Sequence, residues 1–275
     1  MLGKAHQWEA NSIDPLLSFL ISNFPSWGLR EISSKRSIII ASTADIHSPK
    51  YLEALKEAIK RVKDKPDIVL LAGDLINKGN VKWYAPTIEA ISQLETERVV
   101  AIFGNEEYEE THDKLREEFG DVITFLDDEF VKFEIKGMSL GIVGTKGSLE
   151  QPTTWQERHM PGIKEVYENR IKKVEKLLRE LDTDIKVLLM HYAPTFKTLF
   201  GEYRSIWPQL GHRGYEKVIE ATRPDLVIHA HAHNGSKRAA MWNIEILNVS
   251  FPVWRDIVIV KLAKRASLEQ YFESI

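Results

Sequence analysis

The chain contains no cysteine. That absence excludes disulfides, thiol nucleophiles, iron–sulfur clusters and Cys-ligated zinc. Any metal must be held by His, Asp, Glu, Asn or backbone oxygens. Long apolar runs are absent too. The longest near the start, Leu16-Leu17-Ser18-Phe19-Leu20-Ile21, falls far short of the roughly 20 residues of a membrane span. Glu9 and Asp14 precede it and no small-residue cleavage site follows, so it reads poorly as a signal peptide, and a cytoplasmic location is expected. Neither sign of charge dominates. The 37 Lys and Arg against 40 Asp and Glu leave a net −3. This gives no bulk case for nucleic-acid or membrane-surface binding, although a local basic patch stays open.

What is present suits a globular domain. The 275 residues are 43% hydrophobic and 28% charged, which rules out collagen, a disordered chain and a coiled-coil rod. Residues 1–36 read as an N-terminal helical appendage: Asp14 caps, Pro15 takes the first helical position, and Leu16, Leu17, Leu20, Ile21 and Phe24 repeat at helical spacing. Residues 37–275 read as one domain, without repeats or linkers. Strands are expected at 37–42, 67–72, 98–103, 130–135, 139–143, 185–190, 226–229, 244–248 and 256–262. Helices are expected after Ser48-Pro49, near 86–94, from a Thr111 cap to Phe119, over 163–181 and around 215–221. In the long helix Val166, Ile171, Val174, Leu177, Leu178 and Leu181 should face inward. Residues 144–162 read as a loop. Strand–helix alternation of this kind marks a mostly parallel sheet covered by helices.

Five apolar strands run directly into polar residues. The first leads to Asp45-Ile46-His47, the second to Gly73-Asp74 and the third to Gly104-Asn105-Glu106. A later strand ends at His191, and the last at His229-Ala230-His231-Ala232-His233. In open α/β sheets the ligand site lies outside the carboxyl ends of the strands. All five groups should therefore gather at one edge. Carboxylate, amide oxygen and imidazole together suit borderline divalent cations such as Mn, Fe or Zn rather than calcium. Seven such ligands exceed one tetrahedral zinc and imply two metals sharing a carboxylate, an arrangement suited to phosphoester hydrolysis.

The order and context of these motifs resemble the calcineurin-like metallophosphoesterase superfamily, with its D-x-H, G-D, G-N-H, H and G-H-x-H pattern. The resemblance covers roughly residues 37–260. It implies a sandwich of two mixed β-sheets flanked by helices, with a dinuclear site at the strand ends. It further implies that Asp45, His47, Asp74 and His233 bind one divalent metal, and that Asp74, Asn105, His191 and His231 bind the other. Manganese is the expected metal, with Fe, Zn or Ni also compatible, and a hydroxide on the metals is the implied nucleophile. The implied catalytic residues are Asp74, Asn105, Glu106 and His191, and the implied substrate is a small phosphoester or a nucleotide.

Two positions depart from the pattern. Ala230 replaces a Gly, a mild change if the backbone there needs no positive φ. Glu106 replaces the His of G-N-H, which in the family protonates the leaving oxygen or helps stabilise the transition state. A carboxylate beside two cations stays ionised and is a poor acid. It also repels a dianionic monoester more than a monoanionic diester. A phosphodiesterase is therefore expected, with a broad monoesterase or nucleotidase, or a silent binding scaffold, as alternatives. His112, His159 or His212 are candidates to replace the missing acid, and Arg204 and Arg213 to grip a phosphate. His229 is expected to be structural or to support a ligand. Trp155, Phe196, Phe200, Tyr203 and Trp207 are expected to pack.

Overall fold

The computed structural model describes residues 37–264. The helix expected within residues 1–36 and the last residues of the chain lie outside these. The first half runs β1 (Ser37–Thr43), α1 (Leu52–Ile59), β2 (Ile68–Leu71), α2 (Tyr84–Ser92), β3 (Val99–Ile102), α3 (Glu109–Phe119) and β4 (Thr124–Leu126). The second half begins with β5 (Glu129–Ile135), β6 (Met138–Thr145), α4 (Thr154–His159), α5 (Ile163–Glu180) and β7 (Ile185–Met190). It continues through α6 (Gly214–Thr222), β8 (Leu226–His229), β9 (Arg238–Met241), β10 (Ile244–Asn248), α7 (Phe251–Trp254) and β11 (Val258–Ala263).

The strands form two sheets, ordered β11-β1-β2-β3-β4 and β5-β6-β7-β8-β10-β9. Strands β1 to β4 are mutually parallel, as are β6, β7, β8 and β10, while β5 and β9 add antiparallel edges. Side chains alternate along each strand, and both faces of the central strands are buried. Ile38, Ile40, Ile68, Leu70, Val100 and Ile102 of the first sheet share one core with Leu140, Ile142, Val187, Leu189 and Ile228 of the second. The alternate residues Val69, Leu71 and Ala101 pack under Leu55, Ile91 and Leu115 of α1, α2 and α3. On the second sheet, Val143 and Leu188 pack under Val174, Leu178, Val218 and Ile219 of α5 and α6. Helices thus cover the outer face of each sheet, and the two mixed sheets form the expected sandwich.

Several local expectations need correction. α3 starts at Glu109, not after a Thr111 cap: Tyr108 holds the cap position, and the Thr111 hydroxyl donates to the Tyr108 carbonyl at 2.7 Å. The 144–162 stretch contains α4, which opens on a capping box between Thr153 and Gln156. Val166 is 47% exposed, because Ile163, Tyr167, Val174 and Leu178 set the buried stripe. Strands β4 and β9 were not expected. One is only three residues long, and the other, Arg-Ala-Ala-Met, is an edge strand of low β propensity.

Leu140 is fully buried between the sheets. Leu140→Ala is expected to lower unfolding free energy by about 2–5 kcal/mol, measured by urea denaturation, with any activity per folded molecule unchanged.

Candidate metal centre

Strand direction places the site. Because β1, β2 and β3 run parallel in the first sheet and β7 and β8 run parallel in the second, the carboxyl ends of each set share an edge. Backbone pairing continues beyond the strands. Asp45 N–H donates to Gly73 O, His47 N–H to Asp74 O, and Ala230 N–H to His191 O, each at 3.0 Å. These bonds hold the donor-bearing loops side by side.

The structure brings the seven sequence-selected donors together. Asp45, His47 and His233 form one group whose ligand atoms lie within 4.8 Å of one another; Asp74, His191 and His231 form a second. Nε2 of His233 is 3.5 Å from Asp45 Oδ1 and 3.3 Å from His47 Nε2. Asp74 Oδ2 stands 3.5 Å from His191 Nε2 and 4.0 Å from His47 Nε2, so this carboxylate reaches toward both groups. Asn105 Oδ1 lies 2.9 Å from His191 Nε2.

The backbone is strained to achieve this. Asp45, His47, Asp74 and His231 all have positive φ, at 56°, 45°, 53° and 68°. Non-glycine residues rarely adopt this region, and such strain persists only where surroundings enforce it. Ala230 does not share it, so the loss of the family's glycine there is tolerated. Gly73 and Gly104 pass so closely that a Cβ on either would collide with the other loop.

Two supporting residues escaped the sequence reading. The Glu107 carboxylate is buried and accepts four backbone N–H bonds. They come from Asp74 at 2.8 Å, Leu75 at 2.7 Å, Ile76 at 3.2 Å and Gly104 at 2.8 Å. It clamps the loop carrying Asp74 to the loop carrying Asn105. Burial and the Asp74 charge raise its pKa to about 7, against the pull of those N–H groups. The only hint in the sequence was a second acidic residue after Glu106. Ser250 is the other: its hydroxyl donates to Asp45 Oδ2, which also accepts the His231 N–H at 3.0 Å.

The donor set fits divalent metal ions. His191 Nδ1–H donates to Ala72 O at 2.8 Å, leaving Nε2 turned toward Asp74 and Asn105. Three electron-rich atoms facing one point require a positive charge among them. Accordingly, although burial opposes it, the Asp74 and Asp45 carboxylates raise the His191 pKa to about 9. Burial also opposes ionisation of Asp74, yet the charge of His191 wins and lowers its pKa. Asp45 Oδ1 and His231 Nδ1 are buried without hydrogen-bond partners. Burial holds His231 neutral, its pKa lowered to about 3. His231 is thus already in the unprotonated state that metal ligation needs, whereas His191 would give up its proton on binding a metal.

Glu106 adjoins the donor set, and the other candidates lie elsewhere. Glu106 is half-buried; its N–H donates to Asp74 Oδ1 at 2.7 Å, and its carboxylate accepts from Lys78 N–H at 2.6 Å. His112 stacks on Phe103 at 3.7 Å with Nε2 3.0 Å from Glu107 O. His159 stacks on Trp155, and His212 Nδ1 accepts from Gly214 N–H. Arg213 is bound to Glu150, and Arg204 lies over Trp207. His229 lies outside both donor groups; its Nδ1 bonds Ala230 O at 2.9 Å, and burial lowers its pKa to about 4. Phe196 and Trp207 pack as expected, whereas Trp155 and Phe200 are exposed and Tyr203 is 82% exposed.

A calcineurin-like phosphoesterase model matches residues 38–235, and the chain belongs to that family. No curated protein matches the sequence significantly. Among solved structures, Mycobacterium tuberculosis phosphopantetheinyl hydrolase aligns at 13% identity over 78% of this chain and 89% of its own, with a TM-score of 0.57. A Staphylococcus aureus protein described as a 5'-nucleotidase aligns at 15% identity over 83% of this chain and 51% of its own, with a TM-score of 0.56; this chain spans about half its length. The anchor of the Plasmodium inner membrane complex aligns at 10% identity over 79% and 73%, with a TM-score of 0.51. At these identities the three share the fold.

Two expectations follow. Glu107→Gln sets an amide NH2 against a backbone N–H and is expected to cost about 1–3 kcal/mol of stability, and about 10- to 100-fold in manganese affinity. Denaturation and metal titration measure these. For chelator-treated protein, the raised His191 pKa contributes stability below about 6.5 that is lost as pH rises through about 9. The lowered pKa values of His229 and His231 contribute stability above about 6.5 that is lost as pH falls toward about 4 and 3. The melting temperature should therefore peak near pH 6.5, and added manganese should remove the fall on the alkaline side.

Proposed function

We propose that the chain is a phosphoester hydrolase that works with two divalent cations, manganese being the expected pair, and prefers phosphodiesters. The observation that carries this is the crowding of six donor side chains around Asp74, with Glu106 next to Asn105. When bound, two divalent cations would supply Lewis-acid charge and an activated water for in-line attack at phosphorus. Asp45, His47 and His233 would hold one cation and Asn105, His191 and His231 the other, with Asp74 shared. Glu107 and Ser250 hold Asp74 and Asp45 in place.

Glu106 supports the preference. Its carboxylate puts negative charge beside the donor set, which disfavours a dianionic monoester more than a monoanionic diester. His112, His159 and His212 have other partners. Among the described residues none of the three stands in for the missing acid. Substrates with good leaving groups are therefore favoured. The proposed compartment is the cytoplasm, and the proposed catalytic domain is 37–275. No helix among the described residues is long and apolar enough to cross a membrane.

The test is a paired assay of a chromogenic phosphodiester and the matching monoester with added manganese. The diester should be cleaved faster, and Asp74→Ala should abolish both reactions. Glu106→His should lower the diester-to-monoester ratio about tenfold or more, by restoring a proton donor. An unchanged ratio would count against the role of Glu106.

A further inference from the structure

His233 lies well beyond its strand. It follows His229, the last residue of β8, by four residues, and its side chain is 36% exposed, against 10% for His47 and 0% for Asp45 of the same group. Its Nε2 nevertheless stands 3.3 Å from His47 Nε2 and 3.5 Å from Asp45 Oδ1. The sheet does not reach this residue, so something else must hold its backbone.

Both peptide units that flank His233 are gripped by side chains from distant segments. The preceding unit presents Ala232 O, which accepts from Asn248 Nδ2 at 2.8 Å and from Gly235 N–H at 3.1 Å. The following unit presents Asn234 N–H, which donates to Glu202 Oε1 at 2.7 Å, while Asn234 Nδ2 donates to Glu202 Oε2 at 3.2 Å. A peptide unit is planar, so only φ and ψ of His233 lie between the two grips. Holding both units therefore sets the direction of its Cα–Cβ bond.

The grips are themselves anchored. Asn248 is fully buried at the end of β10, in register with His229. Its Oδ1 accepts from Ser250 N–H at 3.2 Å, and the Ser250 hydroxyl donates to Asp45 Oδ2. One carboxamide thus ties the loop of His233 to the support of Asp45. The task needs a donor at one end and an acceptor at the other, which an amide has and an ionised carboxylate lacks. Glu202 comes from the segment 196–209, where its own carbonyl accepts from Trp207 Nε1–H at 3.1 Å. That segment is bonded to the loop again through Ser236, whose N–H donates to Thr198 O at 2.9 Å and whose hydroxyl donates to Phe200 O at 3.1 Å. Gly201, at φ 118°, passes so close to Asn234 that a Cβ would collide with its carbonyl.

We propose that Asn248 and Glu202 are positioning residues for His233, and through it for the cation that Asp45, His47 and His233 would hold. Glu202 acts here through its hydrogen bonds and not through its charge. This role rests on the hydrolase reading above and divides the support between the two cations. Glu107 ties the loops of Asp74 and Asn105, whereas Asn248 and Glu202 act on the loop of His233.

Manganese titration followed by EPR tests this without turnover, because EPR separates an exchange-coupled manganese pair from an isolated ion. The wild type should take up two ions and give the coupled signal. Asn248→Leu, which keeps the volume without the amide, and Glu202→Ala should each weaken one ion about 10- to 100-fold and leave the other at wild-type affinity. The isolated-ion signal should then persist at concentrations that give pairs in the wild type. Asn248→Ser serves where Asn248→Leu does not fold. Glu202→Gln keeps an acceptor for Asn234 N–H and should retain most of the wild-type affinity. Leu140→Ala, weakened in the core, should lose neither ion, which sets positioning apart from loss of stability. The positioning role is overturned if folded variants bind both ions as the wild type does, or if both ions weaken together. It is also overturned if Glu202→Gln is as impaired as Glu202→Ala, which would make Glu202 a remote charge. A wild type that binds no manganese pair overturns the hydrolase reading and the positioning role with it. If the wild type binds the pair but hydrolyses no phosphoester, and the variants lose one ion, the hydrolase reading fails and the positioning role stands.

Discussion

Electron-rich atoms crowd one edge of this sandwich, and the rest of the site answers to that constraint. Two carboxylates, one amide oxygen and four imidazoles converge after five strands. Without a cation among them they repel. The protein relieves this partly by lending Asp45 Oδ2 to the Ser250 hydroxyl and the His231 N–H. It also draws a proton onto His191. Neither device serves Asp45 Oδ1 or His231 Nδ1, and these are the atoms a metal would engage.

The scaffold is arranged to bear the repulsion. Parallel strands bring the loops to one edge, and close approach of Gly73 to Gly104 lets the loops of β2 and β3 touch. Glu107 then binds both loops through four N–H groups. A carboxylate is well suited here because turns with unsatisfied N–H groups need an acceptor, and burial strengthens each charge-assisted bond.

Most of the architecture was legible in the sequence because it rests on short-range patterns. Apolar runs such as Ile185–Met190 and Leu226–His229 coincide with strands, since both faces of these strands are buried. The donor side chains were legible because each follows such a run. What escaped depends on tertiary context. Glu107 looks like any acidic residue before a helix, and only the fold turns it onto the neighbouring loop. Arg238–Met241 becomes a strand through its ladder with β10 rather than through its own propensity. Exposure of Phe200 and Tyr203 was likewise a matter of loop path.

The fold alone does not separate a hydrolase from a binding scaffold, for its relatives in shape include a hydrolase and an anchor. The backbone bears on the question more directly. Residues held in the left-handed region cost about 1–3 kcal/mol each, and four of the seven donor positions are held there. Buried donors left without a partner add about 1–3 kcal/mol apiece. A scaffold that used only its outer surface would gain nothing from these burdens, and substitutions that relieved them would stabilise it. Retaining them all, around a shared carboxylate clamped from behind, makes sense if occupied metal positions return the cost. The case for catalysis therefore rests on local strain and unmet coordination in this chain, with the family supplying the chemistry that such a site performs.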